Sequence, residues 1–122
     1  MYSGELEVQA KRKAIAVLQD EINRILNAGR VLSTLPRMLV NKDTAGVKDS
    51  LDQISSIEEE VENLRRKITR DVADVGGLII NRENLLNTSY TMDEIAGYIT
   101  GISFKLSNLK IKTLKTKNLE KE

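Results

Sequence analysis

The sequence predicts an all-α fold, an antiparallel up-down-up bundle of three long helices in a single domain spanning residues 1–122. Apolar residues recur every seven positions along almost the whole chain, which is the pattern of long helices packed side by side. No segment alternates apolar and polar residues with the period of two that is typical of strands. The 40% hydrophobic content is enough to form one core, and Pro36 is the only proline.

The first helix is predicted over 5–40 and carries two apolar columns spaced by seven. They are Val8, Ile15 and Ile22, and Leu18, Ile25, Leu32 and Leu39. Together these columns predict the face that packs in the core. Gly29 stands where the first column predicts a large residue, and Pro36 predicts a kink or a helix end near Leu35.

The second helix is predicted over 44–75 and has the most regular column of the three. It consists of Val47, Ile54, Val61, Ile68 and Val75, widened by Leu51, Ile57, Leu64 and Val72. Either Asp43 or Thr44 can cap the start of this helix, because both side chains accept hydrogen bonds from free backbone amides. Gly76 and Gly77 predict its end, since glycine adopts the left-handed conformation of helix C-termini without strain.

The third helix is predicted over 81–115, with Asn81 as its cap. Its columns are Leu78, Leu85, Met92, Ile99 and Leu106, and Ile95, Ile102 and Leu109. A second capping pattern, Thr91 to Glu94, raises the alternative of an interruption near 87–89. The unchanged heptad phase favours one continuous helix. A long helical hairpin completed by a second chain is the alternative architecture, because heptads pair within a chain or between chains.

Composition excludes most familiar enzyme chemistry. The chain has no cysteine and no histidine, so thiol nucleophiles, histidine bases and Cys/His zinc sites are excluded, and no enzyme activity is predicted. A net charge of +1 and four aromatic residues argue against nucleic-acid binding. No segment is apolar enough to cross a membrane, and the N-terminal residues do not resemble a secretory leader. We therefore expect a cytoplasmic protein, with peripheral membrane contact through the lysine-rich segment 105–122 as an alternative to a solvated helix end.

Four carboxylates crowd into the second helix at Glu58, Glu59, Glu60 and Glu62. Glu58 and Glu62 are one turn apart on the same flank, a geometry that can hold a metal ion through oxygen atoms. The competing interpretation is a solvated acidic face paired with Arg65 and Arg66.

Three segments of the chain resemble the PhoU-like regulators of phosphate uptake. They are residues 57–68 (IEEEVENLRRKI), 81–86 (NRENLL) and 92–99 (MDEIAGYI). The first helix matches by periodicity alone. The resemblance implies a three-helix repeat, usually found twice in tandem. It also implies acidic motifs that bind iron, zinc or similar metals, and a membrane phosphate transporter as partner.

Carried over to this chain, the acidic motifs fall on Glu58-x-x-x-Glu62 and on Asp93-x-x-x-Gly97. The resemblance thus implies Glu58, Glu62 and Asp93 as ligands for iron, zinc or manganese. Gly97 has no ligand atom, so Glu94, another chain or water would have to complete the site. A register on Glu59-x-x-x-Asn63 stays open.

The function predicted from this resemblance is a regulatory or accessory role in phosphate uptake, exerted by binding. The alternative is a structural assembly module without metal. In either case we expect a homodimer or larger assembly, because three heptad-bearing helices leave apolar surface exposed. Gly97 and Gly101 predict a close approach by a neighbouring helix or partner; the alternative is two tolerated glycines, each of which lowers helix stability by about 1 kcal/mol relative to alanine.

Overall fold

A computed structural model describes the backbone of residues 2–75 and 82–120 and the side-chain surroundings of residues 4–73 and 82–108. Over these residues the chain is all-helical, without strands. Its helices are α1 (Tyr2–Val40), α2 (Thr44–Val75) and α3 (Arg82–Glu120). In the part of the chain that is described, none of them combines the length and apolar character that a membrane crossing needs. The predicted end signals at 76–77 and the predicted cap at 81 lie outside the described residues.

The turn between α1 and α2 is closed by backbone hydrogen bonds. The amide of Asp43 donates to the carbonyl of Met38 at 2.9 Å, and the amide of Lys42 donates to that of Leu39 at 3.2 Å. Lys42 has a φ of 57°, as this helix-ending motif requires. The Asp43 carboxylate then accepts the Gly46 amide at 3.0 Å, so the cap of α2 is Asp43 and not Thr44.

Each helix contacts both of the others through three apolar clusters stacked along the molecule. Ala14 of α1 shares a cluster with Ile68 of α2, whereas Leu35 of α1 shares one with Ile54 of α2. Residue numbers therefore fall along α2 as they rise along α1, and the two helices run in opposite directions. Leu85, Met92 and Leu106 of α3 join successive clusters, so α3 runs in the same direction as α1.

The heptad column predicted for α2 is confirmed as its core face. Ile54, Val61 and Ile68 are almost completely buried, and Val47 lies at the edge of the core. The side chain of Val75 lies outside the described surroundings. The predicted continuity of α3 through residues 87–89 is also confirmed.

The core column predicted for α1 is wrong in one part. Val8, Ile15 and Ile22 are 49%, 51% and 41% exposed, whereas the second column is half-buried or buried. The buried column of α1 lies one position earlier, at Ala14, Glu21, Ala28 and Leu35. Small residues occupy two of these positions and a carboxylate occupies a third. The prediction therefore assigned the core to the neighbouring column of large apolar residues, which is exposed.

A similar offset occurs in α3, whose most buried positions carry the small residues Ser89, Ala96 and Ser103. Ile95 and Ile102, predicted as a core column, are 37% and 51% exposed. Short side chains at the centre allow three helices to approach closely, and the larger residues fill the flanks. Pro36 neither ends nor interrupts α1, which continues to Val40, because buried Leu35 and Leu39 hold its last turns against α2.

Candidate functional site

The three predicted metal ligands are Glu58 and Glu62 on α2 and Asp93 on α3. Glu62 accepts a hydrogen bond from Nη2 of Arg66 at 2.7 Å on the exposed side of α2. Asp93 accepts one from Nε of Arg65 at 2.6 Å. Among the described residues no three acidic side chains gather as a metal-binding group. The arrangement therefore does not assemble the predicted set, and metal binding stays a prediction.

The contact between Arg65 and Asp93 connects α2 to α3 at a partly buried position. Their side chains are 18% and 24% exposed, so this pair is better shielded from water than the other ion pairs among the described residues. The guanidinium also lies over the ring of Tyr90, 4.9 Å from its centre. The hydrogen bond from Arg65 to Asp93 raises the pKa of Arg65 above its ordinary value. Asp93, which the resemblance implies as a metal ligand, thus holds the guanidinium of Arg65 in place.

Glu21 lies in the centre of the fold, a position that the sequence analysis did not single out. It has no exposed surface, and its Oε1 accepts a hydrogen bond of 2.7 Å from Oγ of Ser89, which is also completely buried. The second oxygen, Oε2, is buried without a hydrogen-bond partner among the described residues. A buried carboxylate with one unpaired oxygen strongly favours its neutral form.

The surroundings of Glu21 explain its acidity. Burial raises its pKa from 4.5 to about 7, the hydrogen bond from Ser89 opposes this rise, the charge of Asp93 adds to it, and Arg65 opposes it. Glu21 therefore takes up or releases a proton near neutral pH. The position was missed because Glu21 follows the polar residues Gln19 and Asp20 and directly precedes Ile22, which was assigned to the core. A signal was present: it occupies the same heptad position as Ala14, Ala28 and Leu35.

A second feature is an uncharged surface along the seam between α1 and α3, here called the α1–α3 face. Its members on α1 are Ile15, Leu18, Ile22, Ile25, Leu26, Gly29 and Leu32. Its members on α3 are Thr88, Thr91, Met92, Ile95, Tyr98, Ile99 and Ile102. Half-buried Ile25, Met92 and Ile99 pack on the central cluster and form its floor. Residues three or four positions away lie beside them on each helix and point outward.

The α1–α3 face is distinguished by exposure and by charge. Leu26 is 53% exposed, Tyr98 is 68% exposed and Ile102 is 51% exposed. Charged residues make up 30% of the whole chain, yet none of the fourteen members of the face is charged. Isolated exposed apolar residues are ordinary, but a continuous uncharged strip two helices wide is typical of an interaction surface.

The glycine pair on α3 makes no close approach within the described part of the chain. A Cβ atom added at Gly97 or Gly101 meets no heavy atom within 4 Å beyond its chain neighbours and the local backbone of α3, so the predicted contact with a neighbouring helix of the same chain is wrong. Open space of this kind accommodates a side chain at either position.

Comparisons with protein-family models, with curated proteins and with solved structures find no match to this chain. The chain's own residues are therefore what points to its function.

Proposed function

We propose that the protein is a helical binding and assembly module that acts through contact at the α1–α3 face. The observation that carries this proposal is the absence of charge from fourteen positions that include strongly exposed Leu26, Tyr98 and Ile102. Solvated helix faces normally carry Lys, Glu, Asp and Arg, and the centres of protein interfaces are depleted of them.

The ion pairs of the described residues involve none of the fourteen members of the face. Glu60 pairs with Arg24 at 3.3 Å, Glu62 with Arg66, and Asp93 with Arg65. Each of these three carboxylates therefore has a basic partner within the chain. The α1–α3 face has no such internal pairing, and burying its apolar side chains against a partner gains free energy by removing them from water.

Cysteine labelling tests this proposal, because the natural chain contains no cysteine. Thr91→Cys places a thiol on the α1–α3 face, and Ser56→Cys places one at an exposed position of α2 as a matched control. In cells that naturally produce the protein, we expect N-ethylmaleimide to label Thr91→Cys at least about tenfold more slowly than Ser56→Cys. In urea the two rates should be equal. Equal rates in the folded protein would refute the proposal.

A narrower proposal places this binding in the regulation of phosphate uptake, with a membrane transporter as partner and a PhoU-like up-down-up bundle as fold. The support is the sequence resemblance at 57–68, 81–86 and 92–99, together with the order of three long helices that contact one another. We expect cells without the protein to change their rate of labelled phosphate uptake. Wild-type protein should restore that rate, and the face variant Ile102→Glu should not. Unchanged uptake in the deletion strain would leave only the assembly role.

A further inference from the structure

We infer that the occupant of the α1–α3 face is a second copy of this chain, seated face to face about a two-fold axis. This inference rests on the proposed function and names the partner. In a two-fold dimer the same patch is used by both subunits, so the patch has to be complementary to itself. An apolar surface without charge meets this requirement, because a copy brings no like charges against it.

The size of the face is that of a small dimer interface. Its ends on α1 are Ile15 and Leu32, and the distance between them is about 26 Å at the rise of an α-helix. Two helices side by side are about 20 Å wide, which gives a projected area of about 500 Å². Stable interfaces bury about 800 Å² on each partner. The face therefore supplies more than half of the area of such an interface.

The spacing of the exposed residues indicates what kind of surface they meet. Ile15 and Ile22 on α1, and Ile95 and Ile102 on α3, are each seven residues apart. Residues repeated at seven positions pack into the holes of another long helix with the same repeat. This chain supplies such helices itself. Two α1–α3 pairs that pack in this way place four helices together at the interface, and four-helix packing of this kind is common in proteins.

The charge of the whole chain also permits self-association. Its formal net charge is +1, so two copies repel each other weakly. Gly29 leaves a gap in the exposed column of α1, and beyond its chain neighbours and the local backbone of its own helix no atom of the described chain lies within 4 Å of where its Cβ would be. A side chain from the second copy can occupy that gap.

The test is the mass of the purified protein in solution, measured by sedimentation equilibrium from low to high micromolar concentration. We expect wild type to show twice the 13.7 kDa of one chain. Ile102→Glu should raise the dissociation constant at least about tenfold, because it buries two carboxylates in the dimer. Phe104→Glu is the matched control, since Phe104 is 46% exposed, lies two residues away and points to the other flank of α3. It should leave the constant unchanged.

Ile22→Glu gives the same test on α1, and circular dichroism verifies that each variant remains helical. A monomeric wild type at high micromolar concentration would overturn the second copy as occupant. Slow labelling of Thr91→Cys in cells would then still support the proposed binding role. A mass above twice that of one chain would overturn the closed dimer, and equal weakening by Phe104→Glu would overturn the assignment of the face.

Discussion

Ser89 on α3 donates a hydrogen bond to Glu21 on α1 at 2.7 Å, and neither residue has any exposed surface. One hydroxyl serves one carboxylate oxygen, and the other oxygen has no partner among the described residues. An ionised carboxylate in this position is poorly solvated, so the contact between α1 and α3 is most stable when Glu21 carries a proton.

The first prediction concerns the pH dependence of stability. The pKa of Glu21 is about 7 in the folded protein and 4.5 in its ordinary state, so between these values the folded chain binds more protons than the unfolded chain. Its contribution is complete below pH 4.5 and is lost as the pH rises toward 7. We expect the free energy of unfolding to fall by at most about 3 kcal/mol across this window. Urea unfolding at several pH values measures it.

Glu21→Gln is the control for this prediction, because it keeps the shape of the side chain and removes its titration. Its stability should match that of wild type near pH 4.5 and exceed it above pH 7. A wild type and a Glu21→Gln variant that respond identically to pH would assign the effect to other groups.

A second prediction uses the neighbours of Glu21. The charge of Asp93 raises the pKa of Glu21 and that of Arg65 lowers it. Asp93→Asn should therefore lower the pKa of Glu21, because it removes a negative charge and frees the positive charge of Arg65. Arg65→Met should raise the pKa of Glu21, because it removes that positive charge. Carboxyl NMR titration of Glu21 measures both values. Shifts in the same direction would show that packing changes, and not charge, control the acidity of Glu21.

Heptad spacing alone was sufficient to predict α2, because its seven-residue column carries Val and Ile at the positions that meet both other helices. On α1 and α3 the same reasoning chose the flanks, since the true central positions hold Ala14, Ala28, Ser89 and Ala96. A hydrophobic pattern identifies where large apolar residues lie, but three helices approach most closely where side chains are small. The apolar columns that contain Ile22 and Ile102 are present in the sequence, but in the structure they lie on the surface and not in the core.

The candidate site was less predictable than the fold. Their helical spacing made Glu58 and Glu62 the predicted ligands, but both are half-buried on α2 and Glu62 pairs with Arg66. The buried acid is Glu21, and its partner Ser89 is 68 residues away in the chain. Such a contact depends on the register between α1 and α3. Periodicity within one helix does not contain that information.

A third prediction concerns the core. Val61 has no exposed surface and packs with Ala28 and Ala96. Val61→Ala should cost about 2 to 3 kcal/mol of unfolding free energy, through lost burial and the cavity that remains. Asp71→Ala on the partly exposed side of α2 should cost less than about 1 kcal/mol. Denaturant unfolding of both variants measures these changes. Equal losses of unfolding free energy in the two variants would contradict the assigned core face.

The last prediction concerns metal. Because Glu62 is paired with Arg66 and Asp93 with Arg65, an ion has to displace two arginines before it reaches these oxygens. We expect wild type to bind iron, zinc or manganese no more tightly than about 0.1 mM. Gly97→Asp should tighten binding, because no side chain or neighbouring helix of the described chain lies within 4 Å of its Cβ and its carboxylate supplies the missing ligand. Glu58→Gln with Glu62→Gln in the same chain should remove that gain. Calorimetric titration measures all three proteins, and stoichiometric metal retained by wild type purified without chelator would contradict the expectation.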